Sequence, residues 1–199
     1  MKYINQLDYP DWLYVTGTDL EEETRRERGR TTTVATSACG LCAAVMVADR
    51  LLVNSQFELK DALTLAYEVK ANDRVGTSYK RFAPAYADKL GLEWEPTRDP
   101  ERLLYCLRTG GAAVVQVDGD REDRVGVFSH TGHYIVAVAE DRDGRIVVLD
   151  PAYKEEKYEE KGRKGLVEVK NGVMAICDLK TLVKDSADTS IRFHLFWRK

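Results

Sequence analysis

The stretch around which the chain is organised is Thr36-Ser37-Ala38-Cys39-Gly40-Leu41-Cys42-Ala43-Ala44-Val45-Met46-Val47. Small residues and a glycine surround a cysteine, and an apolar run of helical character follows at once. The first turn of a helix leaves backbone N–H groups without intrahelical partners, and these groups together with the helix dipole favour an anion. At Cys39 that anion would be a thiolate, the nucleophilic form of cysteine. Cys39 is therefore a candidate nucleophile.

This stretch is also compatible with three other roles for its cysteines. A free cysteine is most often a small buried hydrophobe. The spacing of Cys39 and Cys42 also occurs in redox dithiols, but a thioredoxin-like site needs a preceding strand, which residues 36–38 do not suggest. A zinc site needs a second close pair, whereas Cys106 and Cys177 are isolated in the sequence. We therefore expect neither a metal nor a cofactor.

Composition limits the class of protein. The chain has 199 residues, 44% of them apolar, which suits one domain with a substantial core. The net charge of −3 and a charged fraction of 32% with both signs mixed give no indication of nucleic acid or an anionic membrane as a partner. We predict a single domain over residues 1–199.

The N-terminal residues and the cysteines indicate the cellular compartment. The N-terminal residues lack the apolar segment of a signal peptide, and no run of about 20 apolar residues predicts a membrane span. Four cysteines in a chain of this length do not resemble a disulfide framework. The expectation is a cytoplasmic protein with reduced thiols.

Helical patterns occupy the first half of the chain. Apolar residues recur at spacings of three and four after Cys39, and further helices are predicted over 57–66, 82–90 and 100–108. Ser55 is the predicted N-cap of the helix over 57–66, with Glu58 as its capping-box partner. Gly91 is expected to end the helix over 82–90. Residues 16–33 interrupt this half with a charged insertion, typical of a solvated loop or a short exposed helix; a lid over a cleft is the alternative.

Strand patterns occupy the second half. Residues 3–7 predict a short strand or extended arm, and the later strands are predicted over 112–117, 133–139, 145–150, 166–169, 172–176 and 191–197. A turn at 141–144 makes a hairpin of 133–139 and 145–150, and a charged stretch at 153–164 separates this hairpin from the rest. Helices followed by an antiparallel sheet predict an α+β fold.

A thiol nucleophile needs a base, and the base needs an orienting group. Of the three histidines, His194 lies between apolar residues of the last strand and His130 lies in a loop, whereas His133 opens a strand after a glycine. The hairpin turn brings Asp150 within one or two residues of direct opposition to His133, where cross-strand Cβ atoms are about 4.5–5.5 Å apart. A carboxylate there can fix the tautomer of the imidazole. Alternatively, His133 is an ordinary loop histidine and Asp150 ends a strand.

An oxyanion donor completes such a site. Gln6 is a neutral amide on an apolar arm, and its NH2 group with the backbone N–H of Cys39 would bind the oxyanion of a tetrahedral intermediate. The residues alone do not single out Gln6 for this role.

Four motifs resemble, in order, those of the papain-like cysteine peptidases related to the bacteriocin-leader (double-glycine) peptidases. They are Gln6-Leu7-Asp8-Tyr9, Ala38-Cys39-Gly40, Gly132-His133-Tyr134-Ile135-Val136 and Leu149-Asp150-Pro151. The resemblance is to the looser soluble branch and covers most of residues 3–151. It implies a papain-like fold, in which a helical half with the catalytic cysteine at a helix N-terminus packs on an antiparallel sheet carrying histidine and aspartate. It also implies Cys39 as nucleophile, His133 as base, Asp150 as orienting acid and Gln6 as oxyanion residue.

Two features depart from the family. The stretch Gly40-Leu41-Cys42 stands where the family usually has Gly-Pro and a small polar residue, and the insertion at 16–33 differs in length. Both concern access of the substrate. The pair Cys39 and Cys42 also approximates the papain signature, whose second cysteine is the nucleophile, but the neighbours of Cys42 break that signature and its helical spacing from Val45 and Met46 indicates packing. We therefore favour Cys39.

The expected function is hydrolysis of peptide bonds through a thioester on Cys39, with a peptide or protein as substrate. Two alternatives stay open. An amidase or acyltransferase would use the same thiol, because an acyl-enzyme does not specify the second nucleophile. A non-catalytic peptide-binding or regulatory module would keep the fold without the chemistry, because fold does not imply function.

Overall fold

The computed structural model describes residues 1–17, 32–73 and 76–199 and shows helices in the first half and an antiparallel sheet in the second. A 3-10 helix, Gln6–Asp8, precedes α1 (Val34–Ser37), α2 (Cys39–Leu51), α3 (Leu59–Glu68), α4 (Tyr79–Leu90), α5 (Pro100–Arg108) and, near the C-terminus, α6 (Leu179–Asp185). The predicted α+β class is confirmed. Most of the predicted insertion at 16–33 lies outside the described residues.

The sheet has seven strands among the described residues, and every pairing is antiparallel. They are β1 (Leu92–Thr97), β2 (Ala112–Val117), β3 (His133–Glu140), β4 (Ile146–Leu149), β5 (Glu168–Lys170), β6 (Met174–Cys177) and β7 (Phe193–Arg198), in the spatial order β1-β7-β2-β3-β4-β6-β5. The predicted hairpin is β3 and β4, in which Val136 pairs with Leu149. The centre of the sheet therefore carries both candidate residues of the second half, His133 and Asp150.

Each face of the sheet has its own apolar core, because successive strand residues point to opposite faces. Val114 and Val136 pack into the cluster that contains α2, α3 and α4. Val115 and Ile135, one residue along, pack into the cluster that contains residues of α5 and α6. Helix α2 is buried along nearly its whole length, so its first residue is held firmly against the sheet.

Several boundaries differ from the sequence-based expectations. The segment predicted as an arm or strand at 3–7 instead leads into the 3-10 helix, whose N-cap Asn5 accepts from the backbone of Leu7. Helix α3 is capped by Glu58 with Asp61 as the capping-box partner, and Ser55 instead accepts from the N–H of Phe57. A carboxylate and a hydroxyl satisfy the same orphan N–H groups, which is why the pattern admits both.

Three elements were absent from those expectations. Helix α1 has only four residues, too few to show a helical periodicity. Strand β1 contains Pro96 and alternating glutamates, a composition that disfavours strands, but it lies at a sheet edge where such residues are tolerated. Helix α6 has only seven residues, too few for a clear helical periodicity. In contrast, α5 and β2 have the predicted bounds, and Gly91 ends α4 in the left-handed conformation as expected.

Among residues 1–17, 32–73 and 76–199, no helix combines the length and apolarity needed to cross a membrane.

Candidate active site

Cys39 is the first residue of α2 and follows directly on the short helix α1. Its N-cap, Ala38, has no side chain that could bind the backbone N–H groups of the first turn. Cys39 is partly exposed, whereas Cys42, Cys106 and Cys177 are buried. The position therefore combines access from solvent with the positive end of the helix dipole.

The surroundings of the Cys39 sulfur favour the thiolate. Burial opposes this, but the charge and hydrogen bond of His133, followed by the backbone N–H groups of Tyr134 and Gly40, lower the pKa of Cys39 below that of an ordinary thiol. Burial also works against a charged His133, yet the negative charge of Cys39 and hydrogen bonds to Asp150 and Cys39 raise the pKa of His133 to about 9. Both shifts favour a thiolate–imidazolium pair at neutral pH.

Asp150 lies directly behind the imidazole. His133 Nε2 is 2.8 Å from Asp150 Oδ1, and the side chains of both residues are buried. Since Nε2 is bound to the carboxylate, Nδ1 is the ring nitrogen left for the Cys39 sulfur. Cys39, His133 and Asp150 thus form one series across α2, β3 and the end of β4, in which the imidazole interacts with the thiol on one side and the carboxylate on the other.

Both oxygens of Asp150 are fully bonded. Oδ1 also accepts from the backbone N–H of Ala152 at 2.8 Å, while Oδ2 accepts from Tyr158 Oη at 2.7 Å and from Lys157 Nζ at 2.5 Å. Burial would raise the pKa of Asp150, but the hydrogen bond and charge of His133, and then the charge of Lys157, hold it well below its usual range. Asp150 is therefore a permanent buried anion at neutral pH.

Gln6 connects the N-terminal arm by hydrogen bonds to the segment that contains Asp150 and to the helix that precedes Cys39. Its backbone N–H donates to Pro151 O at 2.7 Å, beside Asp150, and its Nε2 donates to Ala35 O at 2.7 Å, in α1 just before Cys39. Its side chain is buried, and its Oε1 has no hydrogen-bond partner among the described residues. An amide nitrogen carries two protons, so the bond to Ala35 leaves one for another acceptor.

The other two histidines are not joined to the thiol. His130 is exposed and lies 2.9 Å from Asp120 and 3.0 Å from Glu160. His194 is buried in β7 beside the rings of Tyr79 and Trp94, and burial lowers its pKa to about 3. This agrees with the preference for His133.

Sequence reasoning missed the residues that surround Asp150. Lys157 and Tyr158 belong to the stretch 153–164, whose sequence indicates only a charged connection between strands. No periodicity distinguishes Lys157 from the exposed lysines Lys154 and Lys164 in the same stretch. The contribution of the Tyr134 backbone N–H to the thiolate was also missed, because a backbone donor has no sequence signal.

The chain matches no protein-family model, and no curated protein shows significant similarity to it. Within the described part of the chain, no group of three or more histidine, cysteine, aspartate or glutamate side chains is placed to hold a metal ion.

Proposed function

We propose that this protein is a papain-like cysteine peptidase that hydrolyses peptide bonds through a thioester on Cys39. The observation that carries the proposal is the series Cys39–His133–Asp150, with the thiol at a helix N-terminus and its pKa lowered. A partly exposed thiolate beside a charged imidazole is the form in which cysteine acts as a nucleophile.

The architecture supports the papain-like assignment. A buried helix begins at the cysteine and packs on an antiparallel sheet, and that sheet carries His133 at the start of β3 and Asp150 after β4. The triad comes from three separate elements, so its assembly depends on the whole domain.

In the first half of the reaction, the Cys39 sulfur attacks the carbonyl carbon of the scissile bond. His133, with the proton it took from the thiol, protonates the leaving amine, and the C–N bond breaks to leave a thioester. In the second half, neutral His133 takes a proton from water, the hydroxide oxygen attacks the thioester, and the acid and free thiol are released. The N–H of Cys39 and the second Nε2 proton of Gln6 would stabilise the oxyanion in both halves.

Two other functions use the same residues. An amidase or acyltransferase would form the same thioester and differ only in the leaving group or acceptor. A peptide-binding module would not require a lowered thiol pKa, so the environment of Cys39 favours an enzyme. We propose a cytoplasmic location as well, because all four cysteines are free, as is usual for proteins of a reducing compartment.

The test is incubation of the wild type with a mixed peptide library and, separately, with an activity probe that carries a thiol-reactive group, both analysed by mass spectrometry. Cleavage and labelling at Cys39 are expected, and Cys39→Ala should abolish both. Cys42→Ala serves as the control for the competing cysteine and should retain both. If the folded wild-type protein cleaves no peptide and the probe does not label Cys39, the result would favour the binding module.

A further inference from the structure

Lys157 occupies a fixed position behind the triad. Its Nζ donates to Asp150 Oδ2 and, at 3.2 Å, to the carbonyl of Ala152, and only 10% of its side chain is exposed. Its ammonium also lies 5.9 Å from the centre of the Tyr158 ring. The segment is anchored by Arg163, which is almost fully buried and donates to Gly126 O at 2.8 Å. Lys157 is thus part of the folded interior.

The two carboxylate oxygens of Asp150 have different hydrogen-bond partners. Oδ1 binds His133 and the N–H of Ala152, and Oδ2 binds Lys157 and Tyr158. Along the site the charges therefore alternate from the Cys39 thiolate through the imidazolium and the carboxylate to the Lys157 ammonium. A buried carboxylate without such a partner would bind the imidazolium proton more tightly, since an opposite charge stabilises the charged form.

We propose that Lys157 is a positioning residue that orients Asp150 and balances its charge, so that His133 can give up its proton in the acyl-enzyme. This inference rests on the proposed thioester chemistry. In the free enzyme the thiolate keeps His133 protonated. Once the sulfur is acylated its negative charge is gone, and His133 must be neutral to accept a proton from water. Lys157 keeps Asp150 anionic in that state without requiring a charged imidazole.

Other titratable groups lie near this series. Asp150 is faced by His133, Lys157 and Tyr158, and its backbone carbonyl accepts from Tyr3 Oη at 2.7 Å. Beyond Lys157 lies an open cleft whose charged or titratable lining residues include His130, Lys154, Glu155, Glu156, Glu160 and Arg163. These cleft residues carry both signs, so Lys157 is distinguished from them by its direct contact with Asp150.

The first experiment measures the His133 proton directly and requires no catalysis. The protein carries Cys39→Ala, which removes the coupled thiol, and the His133 ring is titrated by NMR with and without Lys157→Met. The midpoint should rise by roughly one pH unit on loss of the ammonium. Lys154→Met, an exposed lysine of the same segment, is the matched control and should leave the midpoint unchanged. An unchanged or lowered midpoint in Lys157→Met would overturn the proposal.

The second experiment uses Cys39 with p-nitrophenyl acetate as the acyl donor. Lys157→Met should keep the burst of nitrophenolate but slow the later steady state about tenfold, because one pH unit is a tenfold change in neutral imidazole. Lys157→Arg should restore the rate. Lys157→Gln, which keeps hydrogen-bond donors without charge, replaces the methionine variant in both experiments if that variant does not fold. A burst and steady state that fall together would overturn the role in deacylation. Absence of any acyl-enzyme in the wild type would instead refute the proposed function, and the NMR titration would still decide the charge-balancing role.

Discussion

Tyr79 donates its hydroxyl proton to the carbonyl of Gly40 at 2.7 Å, and its ring fills the space that a side chain on Gly40 would need. A Cβ atom at Gly40 would lie 2.8 Å from Tyr79 Cε2 and 3.2 Å from Tyr134 Cδ2. Tyr79 is itself buried, with its ring centre 4.7 Å from that of Tyr134. The residue after Cys39 is therefore held between two tyrosines, and one of them supplies a backbone N–H to the thiolate.

Gly40→Ala should lower the free energy of unfolding by about 1–3 kcal/mol, the usual cost of overpacking a tight interior. It should also slow alkylation of Cys39, since Tyr134 must move. Thermal unfolding and iodoacetamide kinetics measure the two effects. Gly132→Ala is the control, because its nearest neighbour, Val117 O, is 3.9 Å from the added Cβ. Equal behaviour of the two variants would contradict the importance of the Tyr79 contact.

Cys39 should react first with limiting iodoacetamide at neutral pH. Its thiol is partly exposed and its pKa is lowered, whereas burial raises the pKa of Cys42 and raises those of Cys106 and Cys177 to about 12. Peptide mass mapping after short exposure measures the order. Preferential labelling of Cys42 would transfer the nucleophile role to it, and equal labelling of all four would favour a non-catalytic module.

Turnover should follow a bell-shaped dependence on pH. The rising limb should lie below the ordinary thiol value of about 8.5, because the pKa of Cys39 is lowered. The falling limb should lie near 9, where His133 loses the proton that the leaving amine needs. Alkylation of Cys39 should show the rising limb only, because a thiolate without an imidazolium still reacts. A falling limb in alkylation would contradict this assignment of the two groups.

Gln6→Ala should reduce turnover by about 10²–10³-fold, as expected for removal of one oxyanion donor. The rate of Cys39 alkylation should stay within a few-fold of wild type, because no oxyanion forms in that reaction. Asn5→Ala is a suitable control on the same arm, since its side chain instead caps the 3-10 helix and binds Tyr153 O. A parallel loss of alkylation in Gln6→Ala would indicate that Gln6 only anchors the arm.

Asp150→Asn should lower the free energy of unfolding at neutral pH by about 3 kcal/mol, because it leaves a buried ammonium without its counter-ion. Chemical denaturation measures this, and Asp120→Asn in the exposed His130 pair is the control, for which only a small change is expected because solvent screens that pair. The catalytic loss should be smaller than that of His133→Ala, because an amide oxygen still accepts from the imidazole.

Asp150 should also determine how the free energy of unfolding falls at low pH. The pKa of Asp150 is depressed on folding, so its contribution is complete above the unfolded value of about 3.9 and is lost as the pH falls through the lower folded value. The pKa of His133 is raised to about 9, so its contribution is present below the unfolded value and is lost as the pH rises through 9. Wild type should therefore lose more stability than Asp150→Asn when the pH is lowered from 5 to 2; equal slopes would contradict this.

Elements that depend on local periodicity could be predicted from the order of the residues. The helix after Cys39, the bounds of α5 and β2, and the β3–β4 hairpin follow from the spacing of apolar residues and from turn residues between them. Because a hairpin has a definite register, the proximity of His133 and Asp150 was also accessible from the sequence. The catalytic roles of these residues remain predictions.

The surroundings of those residues could not be predicted in this way, because they depend on long-range packing. Lys157 reaches Asp150 because the segment 150–164 folds back over the end of β4, and this path depends on buried contacts such as that of Arg163. The fit of Tyr79 against Gly40 joins two helices that are 39 positions apart in the sequence. The spacing of apolar residues indicates which face of a helix or strand is buried. It does not indicate which side chain from a distant part of the sequence packs against that face. The charge balance of the site is therefore a property of the fold.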